Sequence, residues 1–143
     1  MALGYTYLNT IPLIGTKSGT TRTSTLATSA FADNLSRITP IGGASTIELS
    51  ILYTSEKDNN FEVRVETGPD ATNMYRLVNE SISAGNSTLT LRTFIVTPTT
   101  SAFAFALPID VSNKYIRVSV RENHTLELTS SSAYVEMMIL GDK

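Results

Sequence analysis

Short runs of alternating apolar and polar residues recur through the last two thirds of this sequence. From Ser45 to Tyr53 the residues Ile47, Leu49 and Ile51 alternate with more polar neighbours. The run from Tyr115 to Arg121 follows the same rule. Alternation places successive side chains on opposite faces of a strand, so each run predicts a β-strand with one buried face. No helical period of three and four residues separates the runs, and the pattern therefore predicts an all-β chain.

Further strands and turns follow from the same pattern and from the polar segments between the runs. The polar segment 56–60 predicts a turn that joins Ser45–Tyr53 to the next run in an antiparallel hairpin. Ala84-Gly85-Asn86 predicts a second turn. The remaining predicted strands are Phe61–Val65, Met74–Val78, Leu89–Ile95, Phe103–Leu107, Leu126–Leu128 and Ala133–Leu140.

Seven or eight short strands, with turn signals about every 8 to 12 residues, predict a two-sheet antiparallel β-sandwich. Ala133–Leu140 is apolar on both faces, which is typical of a central strand. A jelly-roll-like topology is the preferred arrangement. An immunoglobulin-like arrangement is the alternative, although the chain has no Cys and no Trp to supply its landmarks.

The first 44 residues differ in composition from residues 45–143. They are rich in Gly, Ser and Thr and contain one acidic residue, Asp33. Such a segment cannot bury a core of its own. We therefore predict an extended N-terminal arm over residues 1–44, which contributes at most an edge strand, and a β-sandwich domain over residues 45–143.

The arm carries an apolar cluster that is a candidate protein interface. An extended segment can add a strand to the exposed sheet edge of a neighbouring subunit, or it can supply the first strands of its own sandwich. The sequence leaves both readings open. Phe103 and Phe105 extend the candidate interface because they alternate with alanines, and a face of alanines lets another layer approach closely. The arm residues of the candidate interface are Tyr5, Tyr7, Leu8, Ile11, Leu13 and Ile14.

Charge and composition exclude several classes of partner. The net charge is −2, charged residues make up 17% of the chain, and acids and bases are interleaved. This distribution gives no broad positive surface for nucleic acid or an anionic membrane. We also expect no secretory signal, because the first residues lack a basic start and a continuous apolar stretch.

Residues that could support catalysis are few, and we expect no enzymatic activity. The chain has one histidine, His124, and no cysteine, so neither a cysteine–histidine dyad nor a histidine–cysteine metal site can be assembled. A Ser-His-Asp set could be assembled from the many serines, but no Gly-x-Ser-x-Gly elbow supports it. Glu62 with Glu66, or Glu48 with Glu136, could form a carboxylate pair for glycoside hydrolysis. We instead expect Glu62 and Glu66 to form cross-strand ion pairs with arginines of another strand.

Other binding sites have simpler structural readings. Arg117 and Arg121 could bind an anion, but cross-strand pairing with the glutamates is the expected role. The oxygen-rich segments 56–60 and 70–73 lack the spacing of a calcium loop and predict ordinary turns. Carbohydrate remains a possible ligand. Its aromatic platforms would be Tyr75, Tyr115 and Tyr134. We predict no cofactor and no metal.

These features together resemble the decoration, or cement, proteins of tailed bacteriophage capsids. The resemblance rests on the Met-Ala-Leu start, the Thr- and Ser-rich arm and the cysteine-free strands such as Ser45–Tyr53, Tyr115–Arg121 and Ala133–Leu140. It implies a homo-oligomer, with a trimer favoured, that clamps a major capsid protein on the outer surface of the virion. The chain would then be made in the host cytoplasm. The alternative is a carbohydrate- or receptor-binding module of a fibre or adhesin.

Overall fold

The computed structural model describes residues 10–26, 31, 37–42, 44–54, 60–97, 102–122 and 131–142. None of these residues is helical, and every strand pair among them is antiparallel. The prediction of an all-β chain is confirmed. The strands are β1 Ile11–Ile14, β2 Thr16–Ser18, β3 Thr21–Thr23, β4 Thr25–Leu26, β5 Thr39–Pro40, β6 Ala44–Thr54, β7 Phe61–Gly68, β8 Tyr75–Arg76, β9 Val78–Ser83, β10 Asn86–Leu91, β11 Phe94–Val96, β12 Ala102–Asp110, β13 Tyr115–Glu122 and β14 Ser132–Asp142.

The first sheet has the strand order β1-β14-β6-β12, and β4 also pairs with β14. Residues Ile47, Leu49, Ile51 and Tyr53 of β6 are all buried, as their alternation predicts. β14 lies between β1 and β6, so its prediction as a central strand is confirmed.

The second sheet has the strand order β11-β7-β13-β5, and β8 also pairs with β7. Its buried apolar residues alternate along β7 and β13, as the sequence predicts. These residues join those of the first sheet in one hydrophobic core. The buried residues of the two strands are Phe61, Val63, Val65, Ile116, Val118 and Val120.

The predicted hairpin between Ser45–Tyr53 and Phe61–Val65 is wrong. β6 pairs with β14 and β12, whereas β7 pairs with β13, β11 and β8. The chain therefore passes from one sheet to the other between these two strands. Both strands bury one apolar face in the shared core. Alternation indicates this burial, but it does not indicate which strands pair.

The N-terminal segment supplies strands to both sheets over its described part. β1 and β4 pair with β14, and β5 pairs with β13. β2 and β3 form a hairpin of their own. The sequence left open whether the arm pairs with a neighbouring subunit or supplies strands to its own fold. Residues 11–26 supply strands to their own fold. Residues 1–9 lie outside the described part of the chain.

Two prolines lie in edge strands, as we expect because proline has no backbone N–H group to donate to a neighbouring strand. Pro12 lies in β1, an edge strand of the first sheet, and Pro108 lies in β12, the strand at its other edge. The predicted strand Leu126–Leu128 lies outside the described residues. No helix long and apolar enough to cross a membrane occurs among the residues that the structure describes.

Candidate protein interface

A two-stranded hairpin formed by β9 and β10 leaves the edge of the second sheet. β8 pairs with Glu66 and Thr67 of β7, and β11 pairs with the segment Phe61–Val63 of the same strand. β13 occupies the opposite edge of β7. β8 and β11 therefore share one edge, and the chain between them runs outward along β9 and returns along β10.

The tip of this hairpin is the predicted turn at Ala84 and Gly85. Both residues have positive φ angles, 52° and 80°. This combination is typical of the type I′ turn, whose twist matches that of two paired strands. The turn fixes a regular register in which Asn86 pairs with Ser83 at the tip and Leu91 pairs with Val78 at the base.

The register divides the hairpin into an apolar face and a polar face. All six residues of β9 and all six of β10 are exposed. We call the side of the hairpin that carries its aliphatic side chains the apolar hairpin face, although it includes one acidic residue. The apolar hairpin face contains Val78, Glu80, Ile82, Ser87, Leu89 and Leu91, and the polar face contains Asn79, Ser81, Ser83, Asn86, Thr88 and Thr90.

The aliphatic side chains of the apolar hairpin face are not covered by any residue that the structure describes. Ile82 is 71% exposed and Leu89 is 61% exposed. A two-stranded hairpin is at best marginally stable in water, and a contiguous apolar surface usually marks an interaction site. β10 also contains no charged residue, so it lacks the usual protection of a free strand edge. The hairpin is therefore the strongest candidate for a protein-binding element.

A second candidate surface is a cleft on the outer face of the first sheet. Its volume is about 380 Å³. Ala104 and Ala106 of β12 are exposed in this cleft, and Leu52 of the neighbouring strand is 40% exposed. The small side chains of β12 leave the sheet surface open, as the alanine pattern predicts. Phe105 points the other way and is half-buried against the core, with its ring 6.1 Å from that of Phe61.

One wall of the cleft is an ionic cluster centred on Glu136. Arg22 donates to one carboxylate oxygen at 2.8 Å, and Thr10 donates to the other at 2.7 Å. Tyr134 donates to the same carboxylate at 3.1 Å, and Lys17 lies 3.9 Å away. The cluster ties the β2–β3 hairpin to the outer face of β14.

The pKa values in this cluster follow from its burial and hydrogen bonds. Burial alone would raise the pKa of Glu136, but the hydrogen bonds from Thr10, Arg22 and Tyr134 outweigh it and hold that pKa below its ordinary value. Burial and the adjacent carboxylate raise the pKa of Tyr134 to about 12. Glu136 is therefore a charged acceptor at neutral pH and Tyr134 a neutral donor.

The residues predicted from sequence as an interface are only partly available at the surface. Leu13 and Ile14 are 0% and 1% exposed, because β1 packs them into the core. This part of the predicted interface is corrected, since the chain itself covers both side chains. Ile11 is 37% exposed at the sheet edge. Tyr5, Tyr7, Leu8 and the side chain of Phe103 lie outside the described residues.

The carboxylates weighed for catalysis are held in ion pairs. Arg117 lies opposite Glu66 and binds both of its oxygens, and Arg121 lies opposite Glu62 and binds it at 2.8 and 3.0 Å. The prediction of cross-strand pairing is confirmed. Both glutamates are buried rather than solvated. Phe31 contributes to this surface, since the Arg121 guanidinium lies 4.7 Å from its ring centre.

The other candidate carboxylate pair lies on the first sheet. Glu136 pairs in register with Ser50, two residues from Glu48 on the neighbouring strand β6. The two glutamates therefore lie on the same face, two residues apart along the strands. The Glu136 carboxylate accepts the bonds of the ionic cluster, so its role in this arrangement is to hold the β2–β3 hairpin in place.

The remaining binding candidates have local roles. Asp70 accepts bonds from the backbone N–H groups of Thr72 and Asn73 and from the Asn73 side chain, and these bonds lower its pKa. No cluster of three metal-ligating residues occurs within the described ranges. His124 and residues 56–59 lie outside those ranges. Of the three tyrosines weighed as platforms, Tyr134 is buried, whereas Tyr75 is 61% exposed beside the hairpin base.

Sequence reasoning identified the turn of the hairpin but not its projection from the sheet. Val78 and Ile82 alternate with polar residues, as do Leu89 and Leu91, and in β6, β7 and β13 the alternating apolar residues face the core. The signal that could have found the hairpin is its polar face, which contains only Ser, Thr and Asn.

Comparison with protein families, with curated proteins and with solved structures found no match for this chain.

Proposed function

We propose that this chain is a non-enzymatic virion structural protein that binds the outer capsid surface and stabilises the shell through contacts between its own copies. The observation that carries the proposal is the apolar hairpin face. A hairpin that projects from its sheet with four exposed aliphatic side chains contributes little to its own fold. Its composition suits burial against another protein.

The fold that we propose for this role is a jelly-roll-like, two-sheet sandwich with an extended N-terminal arm. One hydrophobic core with residues from both five-stranded sheets supports the sandwich. The pairing of successive strands in different sheets supports crossed connections of the jelly-roll type.

The chemistry of the described surface also supports a structural role over a catalytic one. Buried Glu62, Glu66 and Glu136 are each bound by an arginine, and the exposed aliphatic side chains of β9 and β10 lie on a projecting hairpin rather than in a pocket. Enzyme and ligand sites are concave, with a few converging polar groups. A convex apolar element is the shape that enters another protein's surface.

A carbohydrate- or receptor-binding module of a fibre or adhesin is the second candidate. The observation that favours it is Tyr75, whose side chain is 61% exposed next to the base of the hairpin. An exposed aromatic ring can stack on a sugar. Tyr75→Ala would abolish glycan binding under this alternative and would leave particle binding intact under the first proposal.

Quantitative mass spectrometry of purified virus particles tests the proposal. We expect the chain in a fixed copy number that is a simple multiple of the shell symmetry. Particles stripped of the chain should disassemble at a lower temperature and recover when the purified chain is added back, because a ligand that binds only the assembled shell stabilises it by mass action. Absence of the chain from particles would overturn the proposal.

A further inference from the structure

We propose that the apolar hairpin face of one copy packs on the alanine cleft of a neighbouring copy. The alanine cleft is the surface lined by Leu52, Ala104 and Ala106 on the first sheet. The inference rests on the proposed function, because it names the contact through which the copies associate. It makes the association head-to-tail, with a different surface contributed by each of the two copies.

The shapes of the two surfaces are complementary. The hairpin presents its aliphatic side chains on a narrow, projecting ribbon, with Ile82 nearest the tip. The cleft is open above Ala104 and Ala106, because a methyl group is all that rises from β12 at these positions. Sheets pack face to face at a distance of about 10 Å, and the small side chains of alanines permit a shorter distance. The hairpin cannot fill the cleft of its own chain, since its apolar side chains are exposed.

The area of the hairpin argues against packing of two hairpins on each other alone. Six residues at about 3.4 Å each and two strands about 5 Å apart give a face of roughly 200 Å². A stable interface buries about 800 Å² on each partner. In a head-to-tail arrangement each copy contributes both a hairpin and a cleft, together with the surfaces that surround them. Each copy is then held by two contacts instead of one, which doubles the area buried per copy at the same area per contact.

The charges of the two surfaces also match. The apolar hairpin face carries one charged residue, Glu80. The wall of the cleft places two cations, Lys17 and Arg22, around the single carboxylate of Glu136. The side chains of Lys17 and Arg22 are 22% and 34% exposed and that of Glu136 is 7% exposed, so the cations are the part of this cluster that an incoming group meets. An incoming Glu80 would meet a cation rather than a like charge, whereas two hairpins packed face to face would bring two Glu80 carboxylates together.

Head-to-tail contacts repeat around an axis until they close into a ring or continue as a filament. A closed ring has no unpaired hairpin and no empty cleft. This geometry accounts for an oligomer such as a trimer without a two-fold axis. The charge on each face then orients the neighbours in a single direction around the ring.

Cysteine crosslinking in the full chain tests the contact, because the natural sequence contains no cysteine. A tagged Ile82→Cys chain is mixed with an untagged Ala106→Cys chain, allowed to exchange, and treated with a short bis-maleimide. Ser81→Cys on the polar face is the matched control for Ile82→Cys. We expect a crosslinked tagged–untagged pair from Ile82→Cys with Ala106→Cys and its loss when Ser81→Cys replaces Ile82→Cys.

Two results would overturn the inference. One is a crosslink between two Ile82→Cys chains without one to Ala106→Cys, which would mean that hairpins meet each other. The other is the absence of any crosslink, both between two Ile82→Cys chains and between Ile82→Cys and Ala106→Cys chains, whether the variants sediment as oligomers or as monomers. Neither result decides whether the chain is on virus particles, so the proposed function stands or fails separately on the particle measurement.

Discussion

Val78 and Leu91 lie directly opposite each other at the base of the β9–β10 hairpin, and their side chains remain 46% and 60% exposed. Cross-strand apolar pairs normally stabilise a sheet by packing under a second layer. No second layer covers this pair within the described part of the chain. The hairpin is therefore regular in register but incomplete in burial, and a partner surface would complete it.

The hairpin turn offers a direct way to change the stability of this element alone. Ala84 adopts a φ of 52°, which costs an alanine roughly 1 kcal/mol, and Asn is better suited to this conformation. We expect Ala84→Asn to slow amide hydrogen exchange in β9 and β10 by NMR while the global melting temperature stays unchanged. Ala84→Val should have the opposite effect on the same amides. Equal exchange rates in all three proteins would contradict the turn assignment.

Most of the strands could be predicted because burial leaves a period of two in the sequence. Ile47 to Tyr53 and Ile116 to Val120 alternate and are buried as expected. The pairing of the strands could not be predicted in the same way. Alternation says which face of β6 is buried, but it says nothing of whether β7 lies beside it or across the core.

The pairing of Arg117 with Glu66 predicts a strong asymmetry between single and double substitutions. Glu66 is buried, and both of its oxygens are bound by the same guanidinium. Arg117→Met should lower the free energy of unfolding by about 2 kcal/mol, because a buried carboxylate loses its main partner. Arg117→Met with Glu66→Met should recover most of this loss in urea denaturation. Additive losses in the double variant would contradict this account.

Glu136 predicts a specific dependence of stability on acid. Its pKa is held below the ordinary 4.5 in the folded chain, so its contribution is present above that value and is lost as the pH falls through the folded pKa. Glu136→Gln should lower the free energy of unfolding by about 2 kcal/mol at pH 7 and by less at pH 3. Glu48→Gln, on the neighbouring strand, is the control. A deficit in Glu136→Gln that is the same at both pH values would refute this role.

Two glycines with positive φ provide a matched pair for testing the turn between β1 and β2. A Cβ on Gly15, at φ 87°, would lie 2.5 Å from the Thr23 carbonyl oxygen and 2.7 Å from the Tyr134 ring, whereas one on Gly19, at φ 59°, would meet nothing within 4 Å. Gly19→Ala should cost about 1 kcal/mol from backbone strain, and Gly15→Ala about 3 kcal/mol in total. Similar melting temperatures for both variants would contradict the close packing at Gly15.

The candidate site was harder to predict than the fold, for a physical reason. Leu13, Ile14 and Leu89 are all apolar strand residues, yet the first two are buried and the third is 61% exposed. Whether an apolar strand residue faces the core or a partner depends on contacts between segments far apart in the chain. The alanines of β12 were informative because a small side chain shapes the sheet surface wherever the strand is placed.

Sedimentation velocity of the full chain tests the central claim most directly, that the apolar hairpin face is where copies associate. Ile82→Thr and Ser81→Thr place the same β-branched residue on opposite faces of the hairpin, so backbone propensity is matched. We predict that the natural chain and Ser81→Thr sediment as the same oligomer, and that Ile82→Thr shifts toward the monomer with an unchanged melting temperature at low concentration. An Ile82→Thr protein that sediments like the natural chain, or a natural chain that stays monomeric at every concentration, would contradict the claim.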